Sequence, residues 1–359
     1  MKRQRPEDRP RRRSHKGLWA LSALAAGAVF AGWQKRQAIQ ADRYEPGLTV
    51  PALVRSALIE GLVMRWEDHG EPPHVARPAA LGVEEAALEA PAEKADREQH
   101  ANRPPVVLIH GFMTHPRLWR LVIPRLGPDS RCLAWEMPGF GHSINEGLSR
   151  DISIKAQVRY LLAWMDHLEI TRAVLVGHEA GGCVLQALIA QHPERVAGLV
   201  LIDTPAVENP VSPVASGLSR MAGVIEKMPP MLLRPLFHDA LHRLGHEGVR
   251  REMPSISLWW APYSQPTGPA GLARQARALN EAPPLPLTPA LPLTPPLPVR
   301  LVYGARAPRA LEAADTLAIR LAAPAVRFTP DGGHFNPEDY PEVVAEEIRA
   351  VIEKASATA

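Results

Sequence analysis

The sequence predicts an α/β fold: a mostly parallel sheet with helices on both faces, a helical cap insertion and an N-terminal membrane anchor. Three observations carry this. Short apolar runs alternate with helix-period stretches from 105 to 203, and again from 299 to 355. The alternation stops across 205–298, and the first thirty-six residues are basic and then uncharged. Alternating apolar strands and helices imply parallel pairing covered on both faces, because each crossover lays a helix over the sheet. With 359 residues, 46% hydrophobic and 22% charged, the chain can build one large core with an insertion and tails.

Residues 1–16 hold eight Lys/Arg and two acids, a local charge of +6 against +3 for the whole chain. Residues 17–33, "GLWALSALAAGAVFAGW", carry no charge. As a helix they would span about 25 Å, enough for a bilayer core. Positive charge before the run keeps the N-terminus cytoplasmic and sends the rest across a bacterial-type inner membrane. Secretion after signal-peptide cleavage near "VFA" is the alternative. Residues 1–36 therefore form the anchor segment. Residues 37–60 read as a linker with a short amphipathic helix, "VPALVRSALIEGLV".

The core's first part is 61–204. "VMRWEDHG" reads as a strand, and 71–103, rich in Ala, Pro and Glu, as a flexible surface loop. "PVVLIHGF" (105–112) is an apolar strand, 115–126 a helix, and "RCLAWEMPGFG" a strand with a Gly-rich turn. In 152–170, Ile154, Val158, Leu161, Leu162, Met165 and Leu168 share one helical face. "RAVLVGHE" is a strand, "AGGCVLQALIAQH" a helix and "VAGLVLID" a strand. A cap and Pro-rich linker occupy 205–298, ending in the near-repeat "LPLTPALPLTPPLP", an extended spacer. The core resumes over 299–359 with "VRLVYG", a helix near 309–322, "AVRFTP", the turn "DGGHF" and a last helix at 339–355.

Outside 1–16 the net charge is −3, so the folded part offers no basic footprint for nucleic acid. Two cysteines, Cys132 and Cys183, are too few for a metal cluster or disulfide framework. Both sit in apolar stretches and read as core side chains.

Ligands of open parallel sheets bind beyond the strands' carboxyl ends. Four such ends carry reactive or glycine-flanked residues: His110–Gly111–Phe112, Glu179, Asp203 and His334. With "HGF", "MPGFGHS", "GHEAGG" and "GGHF" in this order, the chain resembles the α/β-hydrolase superfamily, in its epoxide hydrolase and haloalkane dehalogenase branch, over roughly residues 60–355.

The resemblance implies a cofactor-free hydrolase. It places Glu179 at the nucleophile position, where the family has Ser, Cys or Asp, to act as nucleophile or as a base that activates water, and His334 at the general base. It also makes the N–H groups of Phe112 and Ala180 the oxyanion-hole donors, with His110, Gly111, Gly177 and Gly181 supporting the elbow and the oxyanion loop. Glutamate has aspartate's chemistry with one more methylene, about 1.3 Å of extra reach. The family's usual acid would stand at Ala307. Asp203, at the end of "LVLID", is the acid that one dehalogenase subgroup would use instead, and Glu208 is placed less well.

Substrate features match less closely. Ala180 stands where dehalogenases carry a halide-binding Trp, and Phe112 where they usually have Asn. Tyr263 is the one tyrosine in the cap, where epoxide hydrolases use two. "MPPMLLRPLF" and "SLWW" read as an apolar cap surface over a small or medium apolar substrate: an epoxide, halide or ester. The alternative is a catalytically inactive, membrane-tethered binding protein, because two positions of the triad have changed.

Overall fold

A computed structural model describes residues 53–70, 103–127, 130–206, 213–243, 254–280, 297–307, 310–323 and 325–357. Eight strands form one sheet in the order β1-β2-β4-β3-β5-β6-β7-β8. They are β1 Leu53–Ile59, β2 Leu62–His69, β3 Val106–Ile109, β4 Cys132–Glu136, β5 Ala173–His178, β6 Val196–Ile202, β7 Val299–Gly304 and β8 Val326–Thr329. β1 and β2 pair antiparallel, as do β2 and β4, and all the other pairings are parallel. In β3 to β6 every side chain is buried, as a strand covered on both faces requires.

The helices of seven or more residues are α1 Ile154–His167, α2 Ala180–Gln191, α3 Pro213–Arg220, α4 Pro230–Arg243, α5 Pro254–Trp260, α6 Gly268–Asn280, α7 Ala310–Arg320 and α8 Pro341–Ala357. Ser153 caps α1 by accepting the Ala156 N–H, a common way to satisfy a free N-terminal donor. The buried stripe of α1 includes Ile154, Val158, Leu161 and Met165, and its anchor is Trp164, which packs edge-on against Trp66 at 5.9 Å. Between β6 and β7 the described residues are helical and contain no strand.

Two expectations fail here. Residues 53–59 are a strand, not part of an amphipathic helix. Glu60 and Gly61 both take positive φ (50° and 72°), the two-residue turn whose twist suits a hairpin, and this turn fixes β1 on β2. The stretch 115–126 is two short 3₁₀ turns, Pro116–Trp119 and Ile123–Arg125. Pro116 opens the first turn, and Pro124, with no N–H to give, prevents one continuous helix.

Residues 17–33, the loop 71–102, Glu208 and most of the Pro-rich repeat lie outside the described residues. Among the described residues, no helix is long and apolar enough to cross a membrane.

Candidate active site

The carboxyl ends of β3, β5 and β6 and the loop after β8 bring the four sequence-selected stretches to one edge of the sheet. Glu179 stands between β5 and α2 with φ 47° and ψ −110°, a strained conformation for a residue with a side chain. The turn is tight because its flanking glycines allow contact. A Cβ on Gly177 would lie 2.7 Å from Gly182 Cα, and one on Gly181 would lie 2.4 Å from the Ile109 carbonyl oxygen. The backbone N–H of Glu179 donates to the Ile202 carbonyl, tying the elbow to the neighbouring strand.

The carboxylate of Glu179 folds back over this turn. Its Oε2 accepts from the Phe112 N–H and from the Ala180 N–H, each at 2.7 Å. These are the two donors expected to form the oxyanion hole. One of the residue's own oxygens thus takes both donors, while Oε1 accepts no hydrogen bond among the described residues. Glu179 is only 4% exposed. Burial raises its carboxyl above the usual range, and the Phe112 and Ala180 N–H groups oppose the rise.

His110 braces the loop that carries Phe112. Its Nδ1–H donates to the Gly111 carbonyl at 2.9 Å, and Nε2 accepts the Met137 N–H at 3.1 Å. Desolvation holds its pKa down at about 4, so the ring is neutral and can accept that bond. His178, last in β5, donates from Nε2 to the His334 carbonyl at 2.8 Å, and the two rings lie 4.9 Å apart. The structure therefore brings His334 beside the elbow through a residue that the sequence reading passed over. Phe335 is fully buried and packs on Trp259 of α5 at 4.8 Å, under the cap.

Asp203 follows β6, 5% exposed, with φ 45°. Its Oδ1 accepts the Gly304 N–H at 2.8 Å, and its Oδ2 accepts Asn336 Nδ2 at 2.7 Å and the Asn336 N–H at 3.5 Å. Asn336 in turn accepts from Thr329 Oγ1 at 2.6 Å. Burial pushes the Asp203 carboxyl up to about 8 against these three donors. Asn336, two residues after His334, is, with His178, a site residue that sequence reasoning missed. Its polar side chain directly after the "GGHF" turn was the available signal, but its partner lies 133 positions away.

Two substrate expectations change. The Tyr263 hydroxyl donates to Gln275 Oε1 at 2.7 Å, and Gln275 Nε2 donates to the Gly139 carbonyl at 2.8 Å, so this tyrosine joins cap to core instead of reaching a substrate. In "MPPMLLRPLF", Leu233 and Phe237 face the protein interior, but Met231, Leu232 and Leu236 face solvent rather than a site.

Residues 104–244 match the family model described as alpha/beta hydrolase fold. An α/β-hydrolase-fold protein from Burkholderia ambifaria superposes with a TM-score of 0.63 at 21% identity, covering 82% of this chain and 96% of that one. The fold is that of the α/β hydrolases. Among curated proteins, the chain is 35% identical over 106 residues to a haloalkane dehalogenase from Mesorhizobium japonicum, 30% of this chain and 34% of that protein. It is 39% identical over 114 residues to a 2-hydroxymuconate semialdehyde hydrolase from Pseudomonas sp. strain CF600, 30% of this chain and 39% of that one. The chain thus spans well under half the length of either relative. In this α/β-hydrolase fold, Glu179 bonds to the loop 110–112, and His178 before it bonds to the His334 carbonyl.

Proposed function

We propose that the protein is a cofactor-free hydrolase in which Glu179 is the nucleophile, His334 the general base and Asp203 the acid behind it, acting on a small or medium apolar substrate. The observation that carries this reading is the division of labour within one carboxylate: Oε2 in the oxyanion hole, Oε1 left for attack. Such a nucleophile suits attack on saturated carbon. Oε1 bonds to carbon as the carbon–halogen bond breaks and halide leaves, or as the C–O bond of an epoxide breaks and its oxygen takes a proton from water, and an ester of Glu179 forms. His334 then takes a proton from water, whose oxygen adds to the Glu179 carboxyl carbon. The negative charge develops on Oε2, where the Phe112 and Ala180 N–H groups already point. Collapse releases the alcohol and restores the carboxylate. A substrate ester is favoured less, because both hole donors are engaged before its carbonyl arrives.

The test is turnover of epoxide and haloalkane panels in ¹⁸O-water. In a single turnover the label should enter Glu179 and not the product. Label going straight into product with Glu179 unlabelled would overturn the nucleophile role. Attack requires the ionised carboxylate, so kcat/KM should rise with pH through a midpoint above 4.5, the ordinary value.

A second reading is a non-catalytic, membrane-tethered binding protein. Asp203 favours it, with both oxygens taken by Gly304 and Asn336 and a carboxyl held near 8, a weak partner for an imidazole at pH 7. It predicts no label in Glu179 with any substrate. For either reading we propose residues 17–33 as an anchor that leaves the hydrolase fold outside the cytoplasm. Protease added to intact spheroplasts should then digest a C-terminal tag, and release of a shortened soluble chain would instead support a cleaved signal.

A further inference from the structure

The cap carries an apolar face that the proposed chemistry does not use. The hairpin made by Ala222–Ile225, the turn 226–229 and α4 buries Ala222, Ile225, Leu233, Phe237, Ala240 and Leu241 on its inner side. Its outer side is apolar as well: Val224 is 62% exposed, Met231 and Leu232 are each 58% exposed, and Met221 and Leu236 are exposed too. Single exposed apolar residues are ordinary, but five within sixteen positions, with Leu232 and Leu236 one helical turn apart on α4, mark an interaction surface.

Charge identifies the occupant. Arg220 and Lys227 flank the patch, both exposed, and neither makes an ion pair among the described residues. The nearby acid Glu226 is neutralised by Arg277 of α6 at 2.8 Å. Large exposed apolar side chains with two cations unpaired among the described residues, Arg220 and Lys227, in the same stretch match an anionic lipid surface, where the chains enter the acyl boundary and the cations meet headgroups. The anchor proposed at 17–33 would hold this surface near a bilayer. Nineteen residues, 34–52, separate the uncharged run from β1 and can extend at most about 65 Å.

We infer that the hairpin 221–236 is a lipid-docking surface that lays the cap against an anionic bilayer. The inference stands apart from the catalytic reading and does not require Glu179 to react.

Cys132 and Cys183 are buried, so a thiol probe can be directed to one new cysteine. The full chain, carrying an environment-sensitive nitrobenzoxadiazole probe at Leu232→Cys, is mixed with phosphatidylcholine/phosphatidylglycerol vesicles containing doxyl-lipid quenchers. Val224→Cys provides a second site on the patch, and Ile319→Cys on α7, 83% exposed, is the control. The expected result is a blue shift and at least threefold stronger quenching at 232 and 224 than at 319. Both effects should weaken in pure phosphatidylcholine and on exchanging Arg220 and Lys227 for Gln. Equal quenching at all three positions would mean a tether alone and would overturn the inference. So would no spectral change at 232 and 224, or a lipid-free blue shift that grows with protein concentration, which indicates a second copy on the patch.

Discussion

Glu179 and Asp203 occupy equivalent places at the ends of the neighbouring strands β5 and β6, both nearly sealed from solvent and both at φ close to 45°. Their oxygens are used differently. Glu179 places two N–H donors on one oxygen and leaves the other unengaged, whereas Asp203 spends both oxygens on Gly304 and Asn336. In the proposed hydrolase the first carboxylate is the nucleophile, and the second is the acid behind the histidine, held in place on both oxygens.

The largest effect should come from Glu179→Gln. The amide oxygen can still accept from Phe112 and Ala180, so the melting temperature should stay within about 2 °C of the parent. Turnover should fall on the order of 10³-fold or more, as for loss of a nucleophile. Substantial residual turnover in a folded Gln variant would make the two carboxylates alike. Asp203→Ala should act on both readouts, with stability down by about 3 kcal/mol as buried Gly304 and Asn336 donors lose their acceptor, read from urea unfolding, and turnover lowered as His334 loses its acid.

Gln275→Leu tests whether such fastening is confined to the strand ends. It removes the buried link from Tyr263 to Gly139 and should cost about 1–2 kcal/mol. A pH difference sets the two carboxylates apart in another way. The folded Asp203 carboxyl sits near 8, above its ordinary 3.8, so the folded state holds that proton more tightly. Its contribution is present at low pH and is lost as pH rises from about 4 through 8. Between pH 5 and pH 9, the urea midpoint of the parent should therefore fall relative to that of Asp203→Asn. A constant difference would show that Asp203 does not titrate in this window.

Much of the fold is legible in the sequence because the parallel strands are short and largely apolar and are separated by helix-period stretches. β3 to β7 lie within the runs that periodicity marks. Periodicity fails where the signal is mixed. β1 is an edge strand with exposed Val54 and Leu58, so its apolar residues follow neither face cleanly, and only the Glu60–Gly61 turn reveals the hairpin. The four site stretches are legible from motif and position. The folding of the Glu179 carboxylate into the oxyanion hole is not, because it depends on a backbone approach between residues 112 and 179. Nor is the Asn336–Asp203 bond, which joins two distant loops whose residues carry no mark of each other.

The bond from His178 to the His334 carbonyl has a consequence for positional noise. The ring that makes it belongs to the residue immediately before Glu179, and the carbonyl belongs to His334 itself. Thermal displacement of the elbow is therefore shared by the histidine turn, and the two fluctuations are correlated instead of independent. The variance in the separation of the two groups becomes smaller than the sum of their individual variances. A site in this arrangement tolerates a softly moving sheet edge, because both groups move with it.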